Sequence, residues 1–309
     1  MSTVTTLRAE RVTAAGNLPA IVGESPVWHA SEGALYWVDI PRKKILRLHP
    51  GSGERAAWEM PERVACLAFG QSGGLLAGME SGLFSVTLAA PGTFEAPGAA
   101  QVRRLAAPLF ALPNMRFNDG RCDRQGRFWA GTMLQDMAVG QPVGALFRFD
   151  AAGRLSAPVV DELIVQNGLA WSPDGRTMYL SDSHPSRRII WTFDYDTHTG
   201  EARARRVFAD LHQYVGRPDG AAMDVDGGYW ICANDAGRVL RFTPEGKLDR
   251  QIELPAVKPA MCAFGGAGLD TLFITTIRPD AGATEHDGHL FAVRPGVNGC
   301  VEAGYAGAL

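Results

Sequence analysis

Asp123-Arg124-Gln125-Gly126 is a turn, and it feeds the apolar, aromatic run Phe128-Trp129-Ala130-Gly131. The chain repeats this unit five more times. The other runs are Leu35-Tyr36-Trp37-Val38-Asp39, Leu75-Leu76-Ala77-Gly78, Met178-Tyr179-Leu180-Ser181, Tyr229-Trp230-Ile231-Cys232 and Leu272-Phe273-Ile274-Thr275. Their starts are separated by 40, 53, 50, 51 and 43 residues. A spacing of about 40–50 residues belongs to propeller-type arrays. Each run follows a turn rich in Gly, Asp, Ser or Pro, such as Ser172-Pro173-Asp174-Gly175 and Asp224-Val225-Asp226-Gly227. These residues supply the backbone angles that hairpins need.

Each run also precedes a third apolar stretch: Lys44–Leu48, Leu83–Leu88, Ala145–Phe149, Ile189–Phe193, Arg238–Phe242 and His289–Val293. Fourth strands are expected at Ala204–Phe208 and Leu248–Leu254. The reading is all-β: a single domain over residues 1–309, folded as a six-bladed β-propeller of four-stranded antiparallel blades. A pair of β-sandwiches is the alternative, and the even spacing disfavours it. The segment Thr5–Val12 precedes the first unit. It is expected to add a strand to the last blade and so close the ring.

Four polar residues open the first strand of their units. They are Glu24 in Gly23-Glu24-Ser25-Pro26, Asn118 in Arg116-Phe117-Asn118-Asp119-Gly120, Asn167 in Gln166-Asn167-Gly168-Leu169 and Asp219 in Arg217-Pro218-Asp219-Gly220. First strands line the channel of a propeller, so residues in phase gather at one mouth. The matching places in units two (Val64-Ala65) and six (Pro259-Ala260) are apolar. Such asymmetry suits a site. A structural requirement would recur in every unit. Two carboxylates and two amide carbonyls on one surface suit a divalent cation. For any one Asn or Asp, a local turn hydrogen bond is the simpler account. Late residues of the second strands, namely Asp39, Thr132, Asp182, Asn234 and Thr275, are candidates to orient the ligands. Strand-end capping is the equal alternative.

Composition sets the outer bounds. The chain has 309 residues, is 46% hydrophobic and 20% charged, and carries a formal charge of −3. That balance argues against nucleic acid or an anionic membrane as the main partner. No apolar run approaches the roughly 20 residues that span a bilayer. Met1–Glu10 lacks the pattern of a secretory leader. The five cysteines are an odd number without a CxxC, and four of them lie in expected strands. Reduced thiols in a cytoplasmic protein follow, and a monomer or weak homodimer is the expected state.

These motifs closely resemble the regucalcin (senescence marker protein)/gluconolactonase/luciferin-regenerating family. The likeness runs from Gly23 to Tyr305-Ala306-Gly307, and Asn167-Gly168-Leu169-Ala170-Trp171-Ser172-Pro173-Asp174-Gly175 belongs to it. The family fold is a six-bladed propeller. The resemblance implies that Glu24, Asn167 and Asp219 bind one divalent metal ion (Ca, Zn, Mg or Mn). It places Asn118 on the metal's open side and Arg116 against the substrate. It makes Asp219 the proton acceptor as well, and it implies a substrate contact at Asp136. The expected reaction is metal-dependent hydrolysis of a sugar lactone to the sugar acid. A cation with three protein ligands keeps positions for water and a substrate oxygen.

A calcium-binding protein without catalysis and a promiscuous esterase or phosphotriesterase remain alternatives. Comparing rates on a sugar lactone and on paraoxon separates the second. Three other signals are weak. Gly70-Gln71-Ser72-Gly73-Gly74 fits G-x-S-x-G, but a nucleophile elbow needs a following helix. Asp224–Gly227 lacks the spacing of a calcium loop. His29, His184, His212 and His286 are expected in solvated loops, and Arg203, Arg205 and Arg206 on a solvated outer strand.

Overall fold

The computed structural model describes residues 4–16 and 18–309. Residues 1–3, part of the leader-free Met1–Glu10 reading, lie outside them. The chain forms six antiparallel blades. Their inner strands are Gly23–His29, Val64–Phe69, Met115–Cys122, Gln166–Trp171, Arg217–Met223 and Pro259–Gly265. Each inner strand packs against the next, and the sixth packs against the first. The fold is therefore the six-bladed β-propeller that the spacing indicates. The second strands begin at Ala34, Leu75, Phe128, Thr177, Tyr229 and Thr271, within one residue of the aromatic runs. The fourth strands of blades four and five are Glu201–Asp210 and Leu248–Glu253.

Aromatic side chains fill the wedges between blades. Tyr179 stacks on Tyr229 of the next blade at 4.7 Å between centroids, and Trp129 meets Trp171 at 5.9 Å. Such rings bury large areas and have preferred geometries, which suits a joint that must set one blade's angle to the next.

Closure differs from the expectation in one respect. Only Glu10–Arg11 joins the last blade, antiparallel to Phe291–Val293. Thr5–Arg8 instead lies parallel to Leu248–Glu253 as a fifth strand of blade five. A four-residue strand followed so soon by another can cover two neighbouring edges, and thus protect both from stray pairing.

The chain's other end crosses the mouth opposite the candidate site. Gly299 bridges Asp224 of blade five, and Tyr305 bridges Gly70 of blade two. The buried Tyr305 hydroxyl donates to the Asp150 carbonyl at 2.8 Å. A cavity of about 400 Å³ lies at that end, with Trp28, His29, Arg121 and Glu302 among its walls.

The weak signals resolve structurally. Ser72 sits in an exposed turn with no helix after it. Asp224 is a buried turn anchor that accepts from the Asp226 and Gly228 amides and from Arg241 Nε. Arg206, on the exposed outer strand of blade four, pairs with Asp194 of the third strand. His29 is a correction: it ends the inner strand of blade one and lies 4.2 Å from the Phe69 ring.

Candidate metal and substrate site

Every inner strand loses its pairing register where it leaves the mouth. In blade three the pairs jump from Phe117–Thr132 to Gly120–Ala130, so Asn118 and Asp119 oppose one residue. In blade five the jump from Pro218–Ala233 to Ala221–Ile231 leaves Asp219 and Gly220 in the same position. Blades one and four break after Glu24–Val38 and Asn167–Ser181. Two residues against one is a β-bulge, which re-aims side chains. Asn118 and Asp219 are bulge residues, whereas Glu24 and Asn167 stand one place earlier. The four therefore do not share one register position. In a regular strand a one-residue offset would turn one pair away from the other.

Asn118 links the two sides of the site. Its Nδ2 donates to Asn167 Oδ1 at 3.1 Å and to the Gln166 carbonyl at 2.8 Å. Its Oδ1 accepts from the Arg116 guanidinium at 2.8 Å. Arg116 also donates to the Phe117 carbonyl at 2.8 Å, which fixes it against its own strand. Asn167 Nδ2 donates to Ser183 Oγ at 2.8 Å, so its oxygen is directed to Asn118 and the mouth.

The acids lie across from this pair. Asp219 is buried and accepts from Asn234 Nδ2 at 2.6 Å. Glu24 is half-buried. Burial first, then Asp219 and Asp119, raises the Glu24 carboxyl well above its ordinary range. Burial likewise pushes Asp219 up to about 7, although Asn234 and Arg217 oppose the shift. Burial lowers the Arg116 guanidinium to about 10, with Glu24 acting to restore it. Two carboxylates that resist ionising together are the electrostatic complement of a cation.

Among the described residues, no group of three or more His, Cys, Asp and Glu could hold a metal ion. The donor set that fits consists of two carboxylates, Glu24 and Asp219, and the amide oxygen of Asn167. These are hard oxygen donors. Two buried oxygens beside them, Asn234 Oδ1 and Asp119 Oδ1, have no protein partner. A polar guest fits this surround better than an apolar one.

Of the five second-strand residues expected to orient ligands, Asn234 alone touches one. Asp39 accepts from the Ile21 and Val22 amides and Asp182 from the Ile164, Val165 and His184 amides, and so both cap strand ends. Thr132 and Thr275 bond to the carbonyls of Ala145 and Met261. Asp136 is exposed, and its Oδ1 accepts from the Ala138 amide at 3.0 Å to cap a short turn. Sequence reasoning missed Asp119. This buried acid accepts from the Leu169 amide at 2.9 Å, fastening blade four to blade three. Its place beside Asn118 in the motif is the signal that could have found it.

The family model described as SMP-30/Gluconolactonase/LRE-like region matches residues 22–278. A Pseudomonas putida protein named 6-deoxy-6-sulfogluconolactonase is 38% identical over 294 residues, covering 94% of this chain and 96% of its own. Xenopus laevis regucalcin is 35% identical over 263 residues, covering 82% and 83%. A solved luciferin-regenerating enzyme shares the fold with a TM-score of 0.86, at 24% identity, covering 97% of this chain and 99% of that one. The inner-strand motifs, the propeller and these likenesses agree, and the chain belongs to the SMP-30/gluconolactonase/LRE-like family.

Proposed function

We propose that this protein hydrolyses a sugar lactone to its hydroxy acid, using one divalent cation held by Glu24, Asn167 and Asp219. The observation that carries this is the meeting of two ion-short carboxylates with the Asn167–Asn118–Arg116 chain at one mouth. The relative named as a lactonase, similar over nearly its whole length, supports the substrate class. When bound, such a cation polarises an ester carbonyl and lowers the pKa of water.

The chain's own residues do the rest. Asp219 accepts the proton of the attacking water. Asn234 keeps that carboxylate in one orientation. Arg116, fixed by Asn118 and its own strand, presents its guanidinium to ring hydroxyls or to the oxyanion that develops on the lactone carbonyl. Asp136 follows the second strand of blade three toward this mouth, and with only its Oδ1 committed to the Ala138 amide its other oxygen is available to substrate. All five cysteines are free thiols, which suits a reducing compartment such as the cytoplasm.

The test is acid release from a panel of aldonolactones by chelator-stripped protein, before and after single cations are returned. Stripped protein should be nearly inactive, and a divalent ion should restore it. Full turnover without any cation would overturn the metal role, and no turnover on any lactone the substrate class.

A further inference from the structure

Arg63 directly precedes the inner strand of blade two, so it stands at the same mouth as Glu24 and Asp219. Glu80 and Gln135 directly follow the second strands of blades two and three, which return to that mouth. These three side chains form a closed set. The Arg63 guanidinium donates through Nη1 to Gln135 Oε1 and, at 3.3 Å, to Glu80 Oε1. Gln135 Nε2 donates to the same Glu80 oxygen at 2.9 Å. Yet the Arg63 side chain remains 39% exposed.

An exposed salt bridge alone is ordinary surface chemistry. What sets this one apart is the second guanidinium. Gln135, the partner of Arg63, donates its backbone amide to the Asn114 carbonyl at 3.0 Å, two residues before Arg116, so the set stands beside the Arg116 strand, and the charge of Arg63 adds to burial in disfavouring protonated Arg116. Two guanidiniums at one mouth, one of them partly exposed, suit an oxyanion, which the planar donor fork matches.

We propose that Arg63, held in place by Glu80 and Gln135, determines specificity by binding an anionic group on the substrate, at the end remote from the lactone carbonyl. This rests on the lactonase reading, and it narrows the substrate to a sugar lactone bearing a terminal sulfonate, phosphate or carboxylate.

The experiment compares kcat/KM on glucono-lactone with that on lactones carrying each of those three groups, for wild type, Arg63→Ala and Arg63→Lys. Wild type should prefer at least one anionic lactone, and the best one identifies the oxyanion. Arg63→Ala should cut the anionic-to-neutral ratio by about 10–100-fold, the range for losing a charged hydrogen bond. Arg63→Lys should keep part of the preference. An equal fall on both classes would make Arg63 a structural tie and overturn the proposal. So would loss of the preference in Lys258→Ala but not in Arg63→Ala: Lys258 directly precedes the inner strand of blade six and pairs with Asp235 at 2.7 Å, so that outcome would put the anion at blade six. Calorimetric titration of metal-loaded protein with 6-phosphogluconate and with gluconate separates the two readings. Tighter, Arg63-dependent binding of the phosphorylated acid without turnover of any lactone would sink the lactonase reading and keep the anion site. Turnover without any preference would do the reverse.

Discussion

Asn118 shows how one amide divides a site. Its oxygen is committed to Arg116 and its nitrogen to Asn167, so under the proposed function Arg116 would report on substrate and Asn167 on metal. Arg116→Ala should lower kcat/KM with little change in metal affinity, and loss of metal binding in that variant would refute the division. Asp219→Asn keeps an oxygen donor and removes the base, a change that typically costs about 10²–10⁴-fold. Saturating metal should recover only part of that loss; complete recovery would make Asp219 a ligand alone. Asn234→Ala frees Asp219 from its 2.6 Å partner. It should lower metal affinity or activity by about 10–100-fold, as loss of a ligand-orienting contact does.

Protonation gives an independent check at the same scale. The folded protein holds the Asp219 carboxyl at about 7 against 3.8 unfolded. Metal-free folded protein therefore binds more protons than the unfolded chain in that window. Its stability falls as pH rises through it. Urea denaturation of metal-free protein should show Asp219→Asn gaining on wild type between pH 5 and pH 8. A gain that is equal at both values would mean the carboxyl is not strained by burial.

At the scale of the element, the bulge is what makes the site. Strand alternation would send residues one apart to opposite faces, and the two-against-one step brings Asn118 and Asp219 together with Glu24 and Asn167. Gly168 permits it in blade four. Its φ is +64°, and a Cβ there would lie 2.5 Å from Ser181 Oγ and 2.6 Å from the Tyr229 hydroxyl. That hydroxyl donates to the Gly168 carbonyl at 2.7 Å, tying blade five to blade four. Gly168→Ala should cost about 1–3 kcal/mol from backbone strain alone. Turning the neighbouring Asn167, it should also weaken metal binding. Chemical denaturation and metal titration measure the two effects, and a stable variant with normal metal affinity would show that the bulge tolerates a side chain.

For the whole molecule, both chain ends act as fasteners. The N-terminal segment covers the edges of blades five and six, with Ala9 buried between its two short strands. The tail holds the opposite mouth, where Glu302 pairs with Arg121 at 2.7 Å. Arg121 in turn donates to the Ala221 carbonyl, two residues beyond Asp219, at 2.6 Å. Deleting residues 1–12 should lower Tm by several degrees, since about 1 kcal/mol moves Tm by about 2–4 °C in large domains. An unchanged Tm would show the ring closes without them. The closed ring also shields Cys66, Cys122, Cys232 and Cys262, whereas Cys300 is half-buried. In native protein a thiol reagent should label Cys300 at most, and the rest should react only on unfolding.

The recurrence of turn and aromatic run determined the blades by itself, because period-2 patterning and hairpin chemistry are local properties of the chain. That Glu24, Asn118, Asn167 and Asp219 each lie near the start of an inner strand was legible for the same reason. What only the tertiary structure decided are relations between blades. The bulges that bring two offset registers together depend on pairing with a second strand. Asn234 acts on Asp219 while Asp39 and Asp182, alike in sequence position, hold backbone amides. The triad of Arg63, Glu80 and Gln135 joins residues up to 72 positions apart. Thr5–Arg8 chose blade five because a free edge lay there. No local pattern encodes such distances, since they arise only when the ring closes.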